Sequence, residues 1–242
     1  MKSWLRVLFA AAWLGGMFAA APAAELVLAV DTSTEMPLAQ LSGKDVVDGL
    51  HHDLGLELAR RLQRRPRFLA LPRMRIVQAL EQGEADLVCI YLPPWLPGPL
   101  DWSKPFIPQA DWLVSRTEAK RPQSLADLVG QRIGTVHGFS YPALSQALGA
   151  GLVRDDAPSS SANLRKLALG RVQHAVVSQR LLEYTQRERR GLLDLHPPLL
   201  ISEELTQCAR SRRSSVSLND LNAAIDALAA DGTLNRLQAR YR

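Results

Sequence analysis

The chain alternates short apolar runs with amphipathic segments, and this alternation constrains its fold more than any other feature. LVLAV (26–30), FLAL (68–71) and DLVCI (86–90) are apolar and flanked by turn residues, which is typical of buried strands. Between them, residues 45–64 carry leucines four apart, and residues 75–84 end near a glycine, which predicts two helices. Strand, helix, strand, helix, strand implies right-handed crossovers and a parallel sheet.

The same alternation restarts in the second half of the chain. Apolar runs predict four further strands, at 110–116, 132–136, 175–178 and 204–211. Helices are predicted after Ser124, at Pro142 and after Ser217, and in the runs LRKLALGR and QRLLEYTQRER. A second strand–helix set of similar size predicts a second lobe.

The N-terminus has the three parts of a secretory signal peptide. Lys2 and Arg6 precede the apolar run VLFAAAWLGGMFAA, and small residues follow in AAPAAE. The run is too short and too rich in glycine and alanine for a membrane anchor, and no cysteine follows it for a lipid anchor. We therefore predict that residues 1–24 are a signal peptide, cleaved near Ala24, and that the protein is exported.

The charge of the chain argues against a nucleic-acid partner. The formal net charge of +5 falls to +3 when Lys2 and Arg6 leave with the signal peptide. The basic clusters at 61–67, 187–190 and 210–213 are scattered along the chain and do not form one stripe. We expect a monomer that binds no nucleic acid.

Motifs for catalysis or cofactor binding are weak. GFSYP (138–142) is a fragment of a nucleophile elbow, with proline where the second glycine belongs. The five histidines lie at no spacing typical of a metal site, and the chain has no G-x-G-x-x-G and no P-loop. The sequence predicts no metal and no cofactor.

Two cysteines leave two alternatives open. An even count in an oxidising compartment permits one disulfide between Cys89 and Cys208. Both residues lie in apolar, strand-like runs, LVCIY and LTQCA, and this context slightly favours buried free thiols.

A stiff, aromatic loop follows the third predicted strand. Prolines cannot donate to a sheet ladder or continue a helix, so IYLPPWLPGPLDWSKPF (90–106) is predicted to be a rigid loop with few hydrogen-bond donors. Four of its prolines fall within seven residues and are interleaved with large aromatic residues; they are Pro93, Pro94, Pro97 and Pro99, with Tyr91, Trp95 and Trp102.

Seven segments in order resemble the periplasmic solute-binding proteins of family 3, the polar-amino-acid-binding type. They are LVLAVD, Gly49-x3-Asp53-Leu54, ALEQGEADLV, DWSKPF, SLADLVGQRIGTVHG, LALGRVQHAVVS and ALAADGTLNRLQARY. The resemblance implies a type II periplasmic-binding-protein-like α/β fold and a location in the periplasm. Each lobe would be a mainly parallel sheet flanked by helices, and two hinge crossings would join the lobes. Lobe 1 would take residues 25–107 and 205–242, and lobe 2 would take residues 108–204. Closure over ligand would be hinge bending.

The resemblance also shows what this sequence lacks. Members that bind amino acids hold the α-carboxylate with an arginine after the third strand, where two parallel hydrogen bonds form. Here that place falls near Pro97 or Gly98, and no arginine occurs between Arg75 and Arg116. The aspartate that takes the α-ammonium is replaced by Ser178. Both halves of the usual clamp are missing.

In other parts of the pocket, Asp31 matches the family and Arg73 departs from it. Asp31 stands where an aspartate closes the first strand, and Arg73 stands where an aromatic residue commonly stacks on the ligand. Gly138, Phe139 and Ser140 form the turn into a helix, where free N–H groups favour an anionic group. We also expect two aromatic residues of the stiff loop to contact the ligand, Tyr91 and Trp95.

The expected function is capture of a small molecule between the lobes, without catalysis. The partner would be an ABC permease or another periplasmic or inner-membrane protein, and the ligand would not be a standard α-amino acid. One alternative is a dehydratase-like periplasmic enzyme, for which Asp31, Glu35 and His137 are the candidate acids and bases. The other is an accessory or sensory partner protein that has lost ligand binding.

Overall fold

A computed structural model describes residues 23–188 and 194–241. The predicted signal peptide therefore lies almost wholly outside the described residues. The strands are β1 (Glu25–Asp31), β2 (Gln40–Ser42), β3 (Asp45–Asp48), β4 (Arg65–Leu71), β5 (Leu87–Tyr91), β6 (Asp101–Trp102), β7 (Ile107–Ser115), β8 (Arg132–Val136), β9 (Val153–Ala157), β10 (His174–Ser178) and β11 (Leu199–Arg210). The helices are α1 (Leu50–Arg61), α2 (Arg73–Gln82), α3 (Pro142–Leu148), α4 (Ser160–Ala168), α5 (Gln179–Glu188), α6 (Leu218–Ala230) and α7 (Thr233–Arg240).

The main sheet has a parallel set of strands in each lobe. Its order is β4-β1-β5-β11-β7-β10-β8-β9, with β6 on β11. β1 is parallel to β4 and β5, and β8 is parallel to β9 and β10. β7 and β11 are antiparallel to their neighbours. The predicted two-lobed α/β fold is confirmed.

β7 and β11 carry the chain between the lobes. Residues 199–206 of β11 pair with β7, and residues 207–210 pair with β5 of the first lobe. At its other end β7 pairs with β10 of the second lobe, from 111 to 115. The two predicted hinge crossings correspond to these strands, while the lobe bounds proposed from the sequence stay a prediction.

Each lobe has its own apolar core. In the first lobe Leu50, Leu54 and Leu58, one helical turn apart on α1, are fully buried with β1 and α6. In the second lobe, residues of α4, α5, β7 and β10 form one cluster, and residues of α3, β7, β8 and β10 form another. Because neither core is shared, the lobes can move against each other about β7 and β11.

The predicted helix over 45–64 is too long at its N-terminal end. Residues 45–48 form β3, and the helix begins only at Leu50. Gly49 separates them at φ +106°, and a Cβ there would lie 2.6 Å from the carbonyl oxygen of Leu38. Only glycine fits this turn, which the leucine spacing did not reveal.

The stiff loop contains two short regular elements. Pro93–Trp95 form a 3-10 turn and Asp101–Trp102 form β6, which pairs with β11. Proline suits the first turn of such a helix because its missing N–H is not needed there. The helix predicted after Ser124 is a 3-10 helix at 125–128, and Ser124 and Asp127 form a capping box at its start.

Cys89 and Cys208 form a disulfide, and the expectation of free thiols is wrong. The two residues are directly paired across β5 and β11 in the first-lobe core. Apolar context alone does not separate a disulfide from a thiol pair, because the difference depends on strand register.

We expect this disulfide to contribute about 2–4 kcal/mol to the free energy of unfolding, because it closes a loop across 119 residues of sequence. Reduction should lower the urea midpoint of the wild type by a corresponding amount. The double variant Cys89→Ala/Cys208→Ala should have a lower urea midpoint than the oxidised wild type, and reductant should not change it. Equal midpoints for the oxidised and reduced wild type would contradict this assignment.

Candidate functional site

A cavity of about 110 Å³ lies between the lobes. The loop after β1, the end of β5 and the start of α2 form one wall, and the segments after β8 and β10 form the other. Seven of the eight predicted site residues line it: Asp31, Arg73, Tyr91, Trp95, Phe139, Ser140 and Ser178. Gly138 lies outside the lining, on the exposed side of the turn. Their role in ligand binding stays a prediction.

Asp31 ends β1 with its side chain 2% exposed. Its Oδ1 accepts hydrogen bonds from the N–H and the hydroxyl of Ser33, both at 2.9 Å. Its Oδ2 accepts no hydrogen bond from the described residues and lies 3.7 Å from Nη1 of Arg73. A buried carboxylate is stabilised by such a nearby cation.

Arg73 is the first residue of α2 and reaches into the cavity. Its Nη2 donates to the carbonyl oxygen of Trp95 at 3.4 Å. Its guanidinium carbon lies 5.2 Å from the ring centre of Tyr91 and 4.6 Å from that of Phe139. Tyr91 belongs to the first lobe and Phe139 to the second, so Arg73 contributes to the contact between the lobes.

A β-bulge directs Tyr91 toward α2. Tyr91 pairs with Gln207 and Cys89 pairs with Cys208, so Ile90 is the extra residue of β5. Ile90 has φ +63°, an unusual conformation for a β-branched residue, and packs on the same core cluster as Cys89. The alternation of faces is thereby reversed, and Tyr91 joins the opposite cluster and the cavity. Burial raises the pKa of Tyr91, with Asp31 adding to the effect.

Trp95 packs on the first-lobe core and also faces the cavity. It is half-buried against the cluster that contains Leu96 and Leu100, and it also lines the cavity. The four prolines around it are exposed. The loop is therefore a wall built on the first-lobe core, with one aromatic face available to the cavity.

Ser178 and Asp111 lie side by side. Ser178 ends β10 and is paired directly with Asp111 of β7, which places both side chains on one face of the sheet. The hydroxyl of Ser178 accepts the N–H of Leu181 at 3.3 Å, at the start of α5. Sequence reasoning missed Asp111, although an acid within the apolar run ADWLV was a signal.

Burial raises the pKa of Asp111 and Glu204 raises it further, while a hydrogen bond from Gln109 opposes the rise. The Asp111 carboxyl is thus harder to ionise than a carboxylate held by a cation. It lines the cavity beside Ser178.

His51 is a second cavity residue that the sequence did not single out. It lies in the first turn of α1 and is 8% exposed. Burial, together with the positive charge of Arg180, lowers the pKa of His51 to about 4. The ring is therefore neutral at pH 7. The leucine pattern of α1 could not indicate this, since Arg180 belongs to the other lobe.

Glu35 joins the two lobes. Its Oε1 accepts a hydrogen bond from the hydroxyl of Ser159 at 3.1 Å, and its Oε2 accepts one from the N–H of Ser161 at 2.8 Å. These groups form the N-terminus of α4, where a carboxylate also interacts favourably with the helix dipole. Glu35 therefore holds the lobes together across the cleft.

Hydrogen bonds from Arg154 hold the turn after β8 in place. Arg154 donates from Nη2 to the carbonyl oxygen of Val136 at 3.0 Å and from Nη1 to that of Phe139 at 3.1 Å. The Val136 N–H donates to the hydroxyl oxygen of Tyr141 at 3.1 Å. His137 lies outside the cavity with its side chain 86% exposed.

Within the described residues, 23–188 and 194–241, no group of three His, Cys, Asp or Glu side chains is arranged to hold a metal ion. Within the same ranges no helix has the length and apolar character needed to cross a bilayer.

Residues 26–242 match the bacterial extracellular solute-binding proteins, family 3. Because this match covers most of the chain, the protein belongs to that family, and the resemblance seen in the sequence is confirmed. Among proteins with curated functions, none matches the sequence.

Solved structures share the fold at low identity. An ancestral arginine-binding protein bound to arginine is 20% identical with a TM-score of 0.73, over 90% of this chain and 97% of that one. A Wolinella succinogenes protein described as an ABC-transporter binding component, complexed with lysine, is 17% identical with a TM-score of 0.75, over 90% and 95%. An ancestral amino acid-binding protein, a precursor of cyclohexadienyl dehydratase, is 16% identical with a TM-score of 0.73, over 90% and 94%. At these identities the likeness establishes the fold alone.

His51 should make stability depend on pH. Its pKa is about 4 in the folded protein and about 6.5 when unfolded, so the unfolded chain binds the extra proton between these values. This contribution is complete above pH 6.5 and is lost as the pH falls toward 4. From pH 7 to pH 5 the wild type should lose about 2 kcal/mol through this residue.

Urea denaturation at both pH values checks this expectation. His51→Gln, which does not titrate, should show a smaller difference between pH 7 and pH 5. His137→Gln, at an exposed position, should behave like the wild type. An unchanged pH difference in His51→Gln would contradict the assignment.

Removing the Glu35 carboxylate should loosen the closed state. Glu35→Ala loses two hydrogen bonds to a charged group, and each such bond contributes about 1.5–3 kcal/mol. We expect a larger radius of gyration in X-ray scattering, with a smaller increase for Glu35→Gln. Glu57→Ala, a change on α1 outside the cavity lining, is the matched control. A radius of Glu35→Ala identical to that of the control would rule out the interlobe role.

Proposed function

We propose that this protein is an exported solute-binding protein that captures a small molecule between its lobes and delivers it to an ABC permease. The observation that carries the proposal is the cavity of about 110 Å³ lined by both lobes. This volume is of the same order as a ~150 Å³ apolar cavity that admits benzene. Membership of an extracellular solute-binding family supports the same conclusion.

We also propose that the ligand is not a standard α-amino acid. Gly98, near the place of the family's carboxylate-binding arginine, packs against α2, and a Cβ there would lie 2.8 Å from Cγ1 of Val77. The stiff loop brings Trp95 to the cavity, and Ser178 stands in place of the ammonium-binding aspartate. Asp111 beside it has a raised pKa and is a poorer partner for an ammonium group.

Capture by hinge closure follows from the two separate cores. An open form would expose both walls of the cavity, and closure would bring Phe139 of the second lobe over the first. A ligand that contacts both walls stabilises the closed form by its differential affinity for the two forms. The Glu35 contact with α4 would then form as the cleft closes.

Binding without turnover is supported by the positions of the three acids and bases that the sequence offered for catalysis, Asp31, Glu35 and His137. Asp31 is paired with Arg73 and Ser33, and Glu35 is engaged with the N-terminus of α4. His137 lies outside the cavity. The open volume between the lobes supports ligand capture over a role as an accessory protein that binds nothing.

Calorimetry with two sets of compounds tests this function. We expect no heat of binding from the twenty standard L-amino acids and saturable binding from one or more small uncharged or monoanionic organic molecules. Phe139→Ala should weaken that binding more than tenfold, because a ring that covers apolar ligand surface contributes about 1.5–3 kcal/mol. Met74→Ala, a highly exposed position, should leave it unchanged.

Tight binding of a standard L-amino acid would overturn the proposal on ligand class. Failure of every compound in both sets to bind would instead favour the accessory-protein alternative.

A further inference from the structure

The guanidinium of Arg73 lies between two aromatic rings. Its central carbon is 4.6 Å from the ring centre of Phe139 and 5.2 Å from that of Tyr91. Both distances are within the ~6 Å over which a cation is attracted to the face of an aromatic ring. The rings come from different lobes, so this arrangement exists only when the cleft is closed.

Polar groups complete the surroundings of the guanidinium. Oδ2 of Asp31 lies 3.7 Å from Nη1 of Arg73, in a side chain that is 2% exposed, and accepts no hydrogen bond from the described residues. The carbonyl oxygen of Trp95 accepts a hydrogen bond from Nη2. Two aromatic faces, a buried carboxylate and a carbonyl oxygen are the groups that bind a guanidinium ion.

The guanidinium between the two rings is supplied by the protein's own Arg73. Arg73 is anchored at the first position of α2, directly after Pro72, and its side chain is 15% exposed although it lies in the cleft. Arg75, two residues further on, is exposed on the surface. Of these two arginines of α2, Arg73 enters the cleft and Arg75 does not.

We propose that Asp31, Tyr91, Phe139 and the Trp95 carbonyl form a guanidinium-binding site that Arg73 itself fills when the cleft closes. The site goes beyond the proposed function and does not depend on it. Its consequence for the ligand does rest on the proposed function: a cationic ligand is excluded, because its place is taken and its charge would be repelled.

The same geometry indicates which class of ligand can bind in the cavity. A guanidinium has five N–H donors, and among the described residues Arg73 makes one hydrogen bond and one longer ion pair. Arg73 lines the cavity, so its remaining donors can take a carboxylate or carbonyl oxygen of the ligand. The ligand class is thus a small monoanion or a neutral carbonyl compound with an apolar body.

Chemical rescue tests the site directly. Arg73→Ala removes the guanidinium and the two methylene groups that carry it, so ethylguanidinium has the shape of the missing part. We expect about 10 mM ethylguanidinium to raise the melting temperature of Arg73→Ala by about 2–4 °C. Ethylammonium at the same concentration should have less effect, because it lacks the planar fork. The wild type should not respond.

Three further variants make the test specific. Arg75→Ala should behave like the wild type. Arg73→Ser opens the same space and suits a first helical turn, so the test does not depend on the folding of one variant. Arg73→Ala/Phe139→Ala should lose most of the response, because one face of the site is gone.

An equal response of Arg73→Ala and wild type to ethylguanidinium would overturn the proposal, as would an unchanged response in the double variant. Because the probe is ethylguanidinium and not the ligand, rescue can succeed even if the proposed solute-binding function fails. Conversely, if ethylguanidinium fails to stabilise Arg73→Ala, a compound of the calorimetry panel can still bind to the wild type.

Discussion

The structure depends on the antiparallel pairing of β7 with β11. This pair continues the sheet from one lobe to the other, while the apolar cores stay separate on either side. Backbone hydrogen bonds along the pair define where the chain can bend, and side chains across the cleft decide how far it closes. The cavity lies between the lobes because no apolar core spans this crossing in the described residues.

Polar and aromatic contacts hold the closed form, in place of a shared apolar core. Glu35 reaches the N-terminus of α4, and Arg73 of the first lobe contacts Phe139 of the second. Glu35 and Arg73 also line the cavity. Under the proposed function, a ligand bound there would therefore shift closure by its differential affinity for the open and closed forms.

Most strands and helices were predictable because their apolar residues follow a period of two or of 3.6 along the chain. Tyr91 shows the limit of that reasoning. Strict alternation in LVCIY places it on the wrong face, and the bulge at Ile90, formed in pairing with β11, reverses it. The disulfide depends on the same register, since Cys208 meets Cys89 only through strand pairing.

The sequence by itself determined the α/β class, the family and the absence of any arginine between Arg75 and Arg116, because these follow from local patterns and residue identity. Only the tertiary structure decided that Asp111 lies beside Ser178, that Glu35 meets α4 and that Arg73 lies between two rings. These contacts join residues far apart in the chain, and their distances are set by how the two lobes fold and close together.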